Sequence, residues 1–189
     1  MIFTAKLSNP DRPGAPPIDV SFPIKNHEEL YQKLAGAGIG DVMGRDCRVT
    51  EIGGAFDALL PLIGQDVNID ELDYLAKRLE SFFEPEARQY EGTAAAMGIS
   101  DIESLINLTF CCQQATVISD FSELRVIGRE HYLNIHGGSA PISELDALDA
   151  ERVAKELIQN EAGVITPYGV VYDNGMVMER MYKGQAFPA

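Results

Sequence analysis

Apolar and polar residues alternate over residues 2–8, the period of a half-buried strand, and Ile18, Val20 and Phe22 repeat it. The Pro- and Gly-punctuated stretch 9–17 between them predicts an irregular loop. Asn26, with Glu29 three residues on, marks the N-terminus of a helix through Leu30 and Leu34. Gly36, Gly38 and Gly40 then read as a helix end and turn; they follow a helix, so they do not form a dinucleotide cradle. Cys47, Val49 and Ile52 predict a third strand. Residues 1–55 are thus expected to be a small three-stranded α/β unit.

Helical spacing takes over in residues 56–118. A short apolar helix is expected before Gly64, and Asn68 with Glu71 frames a helix over residues 69–83. Its apolar positions, Leu72, Leu75, Ala76, Leu79, Phe82 and Phe83, are expected to face a core. Pro85 suits the first turn of a helix ending at Gly98, and Ser100 with Glu103 predicts another. This section reads as a bundle of short helices.

Residues 119–189 mix both types. Ser119 or Asp120 is expected to cap a helix through Leu124, Ile127 and Tyr132, and residues 143–160 to form one amphipathic helix. Asn174-Gly175 between β-prone runs predicts a hairpin with arms 168–172 and 176–182. The chain stops at Phe187-Pro188-Ala189 without a closing element, so the native chain is expected to run past Ala189. The fold class is α+β, in three sections: 1–55, 56–118 and 119–189.

Charge changes the picture more than composition does. The 189 residues carry a formal charge of −14, with a sequence pI near 4.5, which argues against a basic nucleic-acid-binding surface and against anionic lipid. The surplus is uneven: residues 1–55 hold 7 acids and 6 bases, residues 56–125 hold 13 and 4, and residues 126–189 hold 9 and 5. No apolar run approaches the length of a membrane span, and no signal peptide is evident, so a cytoplasmic protein is expected.

Cys47, Cys111 and Cys112 offer neither a disulfide framework nor zinc spacing and read as buried small hydrophobes. His131 and His136 lie five apart, outside the spacing of ligands on one helical face. No metal site, cofactor or catalytic constellation stands out. The candidate functional residues are instead the acids of the middle section: Asp66, Asp70, Asp73, Glu80, Glu84, Glu86, Glu91, Asp101 and Glu103. They are expected on solvent faces, either for solubility alone or as a carboxylate array standing in for DNA phosphates, which recur about every 1.7 Å of duplex axis.

The sequence resembles the ArdA antirestriction family. Ile18-Asp19-Val20-Ser21-Phe22-Pro23 is similar to the strand leading into that family's first helix, here residues 26–34, with the glycine-flanked turn Gly38-Ile39-Gly40-Asp41 after it. Cys47-Arg48-Val49-Thr50-Glu51-Ile52 resembles the following strand. Ile69-Asp70-Glu71-Leu72-Asp73-Tyr74-Leu75-Ala76-Lys77-Arg78-Leu79-Glu80 resembles an acidic helix of the family, and residues 119–132, with Ile127-Gly128-Arg129, the helix opening its third domain. The resemblance covers roughly residues 18–132. It implies an elongated, three-domain homodimer of mobile genetic elements: a non-enzymatic DNA mimic that occupies the DNA groove of type I restriction–modification enzymes. The alternatives are an acidic adaptor without antirestriction activity and an enzyme using Glu130, His131 and Tyr132.

Overall fold

A computed structural model describes residues 1–40, 44–118 and 123–184. The fold is α+β, with two small antiparallel sheets and seven α-helices among the described residues. The first sheet has the order β2-β1-β3-β4, from β1 (Phe3–Ser8), β2 (Ile18–Phe22), β3 (Asp46–Gly54) and β4 (Asp66–Asn68). Alternation puts Phe3, Ala5, Leu7, Val20, Phe22, Cys47 and Val49 on the buried face. On β3 the rhythm slips by one: Lys6 pairs with Glu51 but Leu7 pairs with Val49. The bulge at Thr50 turns Ile52 toward the core and leaves Glu51 outside, where it meets Lys6 at 2.6 Å.

Helix α1 (His27–Gly36) starts as its cap predicts, the Asn26 side chain accepting from the Glu29 N–H at 3.2 Å. After the 3₁₀ turn Asp57–Leu62 come α2 (Ile69–Glu80), α3 (Glu84–Met97) and α4 (Ile102–Leu108). Asn68 caps α2, but through the Asp70 N–H. α4 begins one residue later than its predicted cap, with Asp101 accepting from the Ser104 N–H at 2.8 Å. One continuous hydrophobic core runs from the sheet through these helices, joining Leu7, Phe22, Leu59, Leu72, Tyr90 and Leu105. The boundary expected near residue 55 therefore marks a change of element type inside one packed body. β4, which the sequence pattern does not predict, ties the two parts by pairing with β3.

A second sheet, order β5-β7-β6, lies in the last third: β5 (Thr116–Ile118), β6 (Val164–Thr166) and β7 (Gly169–Tyr172). It packs against α5 (Glu123–Ile135) and α7 (Ala150–Asn160) around Leu124, Ala154, Ile158 and Val170. The cap expected at Ser119 or Asp120 lies outside the described residues. The single helix expected over 143–160 is two, α6 (Ile142–Ala147) and α7, because Leu148 is extended and Asp149 caps the next Arg152 N–H.

The predicted hairpin is also corrected. Asn174 and Gly175 do turn the chain, with φ of 55° and 72°, but residues 176–182 form no strand. β7 already has β5 on one edge and β6 on the other, so no edge is left for a third partner. The segment instead returns to the first core, where Met176 and Met178 pack and Tyr182 is buried. The Asn107 side chain clasps the Tyr182 backbone, accepting from its N–H at 2.8 Å and donating to its carbonyl at 2.9 Å.

Gly128 lets α5 and α7 touch: a Cβ there would lie 1.7 Å from the Ala150 carbonyl oxygen. Gly128→Ala is expected to cost about 1–3 kcal/mol of stability, since overpacking must push backbone aside. Gly36→Ala, facing open space at the end of α1, is expected to be neutral or stabilising by about 0.5–1 kcal/mol. Urea titration of both variants checks the contrast. Among the described residues, no helix is long and apolar enough to cross a membrane.

Candidate functional site

The nine candidate acids fall into three environments. Five face a cation. Arg48 forks onto Asp66 across β3 and β4 with contacts of 2.7 and 2.9 Å, a bond that holds this carboxyl below its usual pKa. Arg45 reaches Asp70 at 3.3 Å while its guanidinium lies 3.7 Å over the Tyr31 ring. Arg88 meets Glu84 at 3.1 Å one turn along α3, and Arg180 lies 3.6 Å from Glu103.

Asp73 is the fifth, and it corrects the expectation of a solvent face: it is 4% exposed. Its carboxylate accepts from the Ile24 N–H at 2.7 Å, meets the Lys77 ammonium at 2.7 Å and has the His27 imidazole at 3.8 Å. It pins the strand-to-helix connection after β2 onto α2, which is a structural task.

Three acids satisfy backbone donors. Asp101 caps α4, and Glu86 accepts from the Phe83 N–H at 2.9 Å at the start of α3. Glu91 is the second correction, at 4% exposure. Its two oxygens take the Asp57 and Ala58 N–H groups, both at 2.8 Å, at the N-terminus of the 3₁₀ turn. Desolvation outweighs those two bonds and raises its carboxyl to about 7.

Both corrections have a sequence signal. Ile69, Leu72, Asp73 and Ala76 occupy i, i+3, i+4 and i+7, and so do Ala87, Tyr90, Glu91 and Ala94. Each acid sits in a slot of the apolar stripe.

Glu80 alone of the nine has neither an ion pair nor a capping role among the described residues. It ends α2 three residues before Phe83, and Glu84 and Glu86 open α3, so exposed carboxylates flank the connection between the helices. Phe83, expected to face the core, is instead 77% exposed in the middle of them, because α2 ends at Glu80 and Phe83 lies in the connection to α3.

No protein-family model matches the chain, and no curated protein is significantly similar to it.

The remaining candidate chemistry is spread out. Glu130, His131 and Tyr132 are consecutive on α5, about 100° apart around the axis, so they do not converge. Tyr132 donates to Glu144 at 3.2 Å and stacks on His136. Cys47, Cys111 and Cys112 are buried free thiols, and burial raises Cys47 to about 12 and Cys112 to about 11, far from a reactive thiolate. Among the described residues, no three His, Cys, Asp or Glu side chains gather as a metal-ligand set.

Proposed function

We propose that this protein is a cytoplasmic, non-enzymatic DNA mimic of the antirestriction type, which occupies the DNA-binding groove of a type I restriction–modification enzyme. The observation that carries the reading is the charge surplus: residues 56–125 hold 13 acids against 4 bases, within a chain of −14. Ion pairing leaves that surplus intact, because a paired base is already counted. Two of those four bases are committed internally, Lys77 to Asp73 and Arg88 to Glu84, and a third, Arg78, lies over the Phe110 ring and donates to Thr109. The long-range field that steers a basic groove follows net charge. Exposed pairs such as Arg48–Asp66 gain little from pairing in water, so a cationic partner can take over such a carboxylate at little cost.

The acids act as a field. The triple variant Glu80→Gln, Glu84→Gln, Glu86→Gln is expected to weaken binding to a type I methyltransferase core about tenfold or more at low salt, and each single change less than about threefold. Competition with a labelled DNA duplex measures both. A single change that removes binding would point to a hot spot and against mimicry.

A second reading is favoured by Phe83. An aromatic ring so exposed among acids suits the centre of a protein–protein contact, as in an acidic adaptor from a mobile element. In that reading Phe83→Ala removes partner binding while DNA never competes.

A further inference from the structure

We infer that the cleft between the 3₁₀ turn, α3 and the β6–β7 turn receives an arginine side chain of a basic partner protein. The cleft encloses about 480 Å³, within the range of small-ligand sites. Its walls are apolar, built from Leu60, Ala94, Ile99 and Pro167. At one end stand Asp57, Glu91 and the Tyr168 hydroxyl, which donates to Asp57 Oδ2 at 2.6 Å. Among the described residues, no Lys or Arg lines the cleft.

Each Glu91 oxygen spends one acceptor position on a backbone N–H and keeps another, and Asp57 Oδ1 has no bond from Tyr168. The end of the cleft is therefore rich in acceptors, and it gains negative charge as Glu91 ionises around pH 7, while its walls suit methylene groups. An arginine matches both parts: its stem packs on apolar surface while its guanidinium fork meets carboxylate oxygens. A lysine ammonium is more strongly hydrated and loses more on entering. Leu60, 44% exposed at the rim, leaves the entrance open to a neighbouring protein. This inference deepens the mimic reading, since a DNA-binding groove presents such side chains.

The test titrates the full chain, isotope-labelled for NMR, with n-butylguanidinium, n-butylammonium and n-butanol. Butylguanidinium at millimolar concentration is expected to shift the amides of Asp57, Ala58, Ala95 and Tyr168 saturably, with butanol about tenfold weaker, as loss of a charge-assisted bond implies. Asp57→Asn is expected to weaken butylguanidinium by a similar factor while amide shifts away from the cleft stay unchanged. Tyr168→Phe, which frees Asp57 from its internal donor, is expected to bind as well as the wild type or better. No saturable shift, equal binding of butanol, or equal binding of butylammonium would overturn the assignment. The titration contains no restriction enzyme, so its failure is separate from a failure of DNA displacement.

Discussion

Tyr182→Ala is expected to lower the free energy of unfolding by about 3–5 kcal/mol, the cost of truncating a fully buried aromatic ring. Tyr182 is 2% exposed, although it stands near the end of the described chain, where fraying is the usual expectation. Its ring packs beside Tyr74, its hydroxyl donates to Glu71, and its backbone is held at both polar groups by Asn107. Removing the ring leaves a cavity between α2 and α4, releases the residue 176–182 segment and strips Glu71 of its donor. Tyr182→Phe keeps the packing and loses only the hydroxyl, so about 1–2 kcal/mol is expected. Met181→Ala, at a position 52% exposed, is expected to stay within about 0.5 kcal/mol of wild type. Urea unfolding of the three variants gives the order directly. A Tyr182→Ala cost below that of Tyr182→Phe would show that the segment is not docked.

The second large effect is a pH dependence set by Glu91. Its carboxyl titrates near 7 in the folded chain against 4.5 for a free side chain. A carboxyl with a raised folded pKa holds its proton more tightly when folded, so more protons are bound to the native state between those values. Stability is therefore full below about 4.5, falls as pH rises towards 7, and levels above it. The total is about 3–4 kcal/mol, because each pH interval of one between the two values is worth about 1.4 kcal/mol. Exposed carboxyls lowered by cations, Asp66 by Arg48 and Glu151 by Lys155, work in the opposite direction at lower pH. The clean quantity is thus the difference between wild type and Glu91→Gln. That difference is expected to change by about 3 kcal/mol between pH 4.5 and 7.5, the wild type losing ground as pH rises. Parallel stability curves would contradict a desolvated, ionising Glu91.

The sequence is most informative where structure is set locally. The strands β1, β2 and β3 announce themselves by alternation, and Asn26 caps the helix that its spacing from Glu29 predicts. Contacts between distant parts are not legible in it. β4 is three residues long and exists because β3 offers it an edge. Asn174-Gly175 carries a strong local hairpin signal, yet the strand before it is already paired on both edges, so the following residues go to the first core. Asp149 divides α6 from α7 by offering its own side chain as a cap, a choice that an amphipathic pattern running through it conceals.

The candidate acids show the same divide. Their number and sign are plain in the sequence, and their tasks are not. Asp73 and Glu91 pass for surface charge because they are charged, although their spacing places both on buried stripes. Asp66 and Asp70 acquire partners from β3 and the residues just before it, a pairing that only the assembled sheet brings about. Of the nine, only Glu80 is left without an ion pair or capping role among the described residues; it gathers with Glu84 and Glu86, which are engaged but exposed, around the α2–α3 connection, with Phe83 between them.

Competition between this protein and DNA for a type I methyltransferase core, measured at about 50 mM and again at about 200 mM salt, tests the proposed mimicry most directly. The proposal predicts displacement of DNA at low salt that weakens steeply as salt rises, because both contacts are dominated by screened charge. Failure to displace DNA at low salt, where a mimic is strongest, would contradict it.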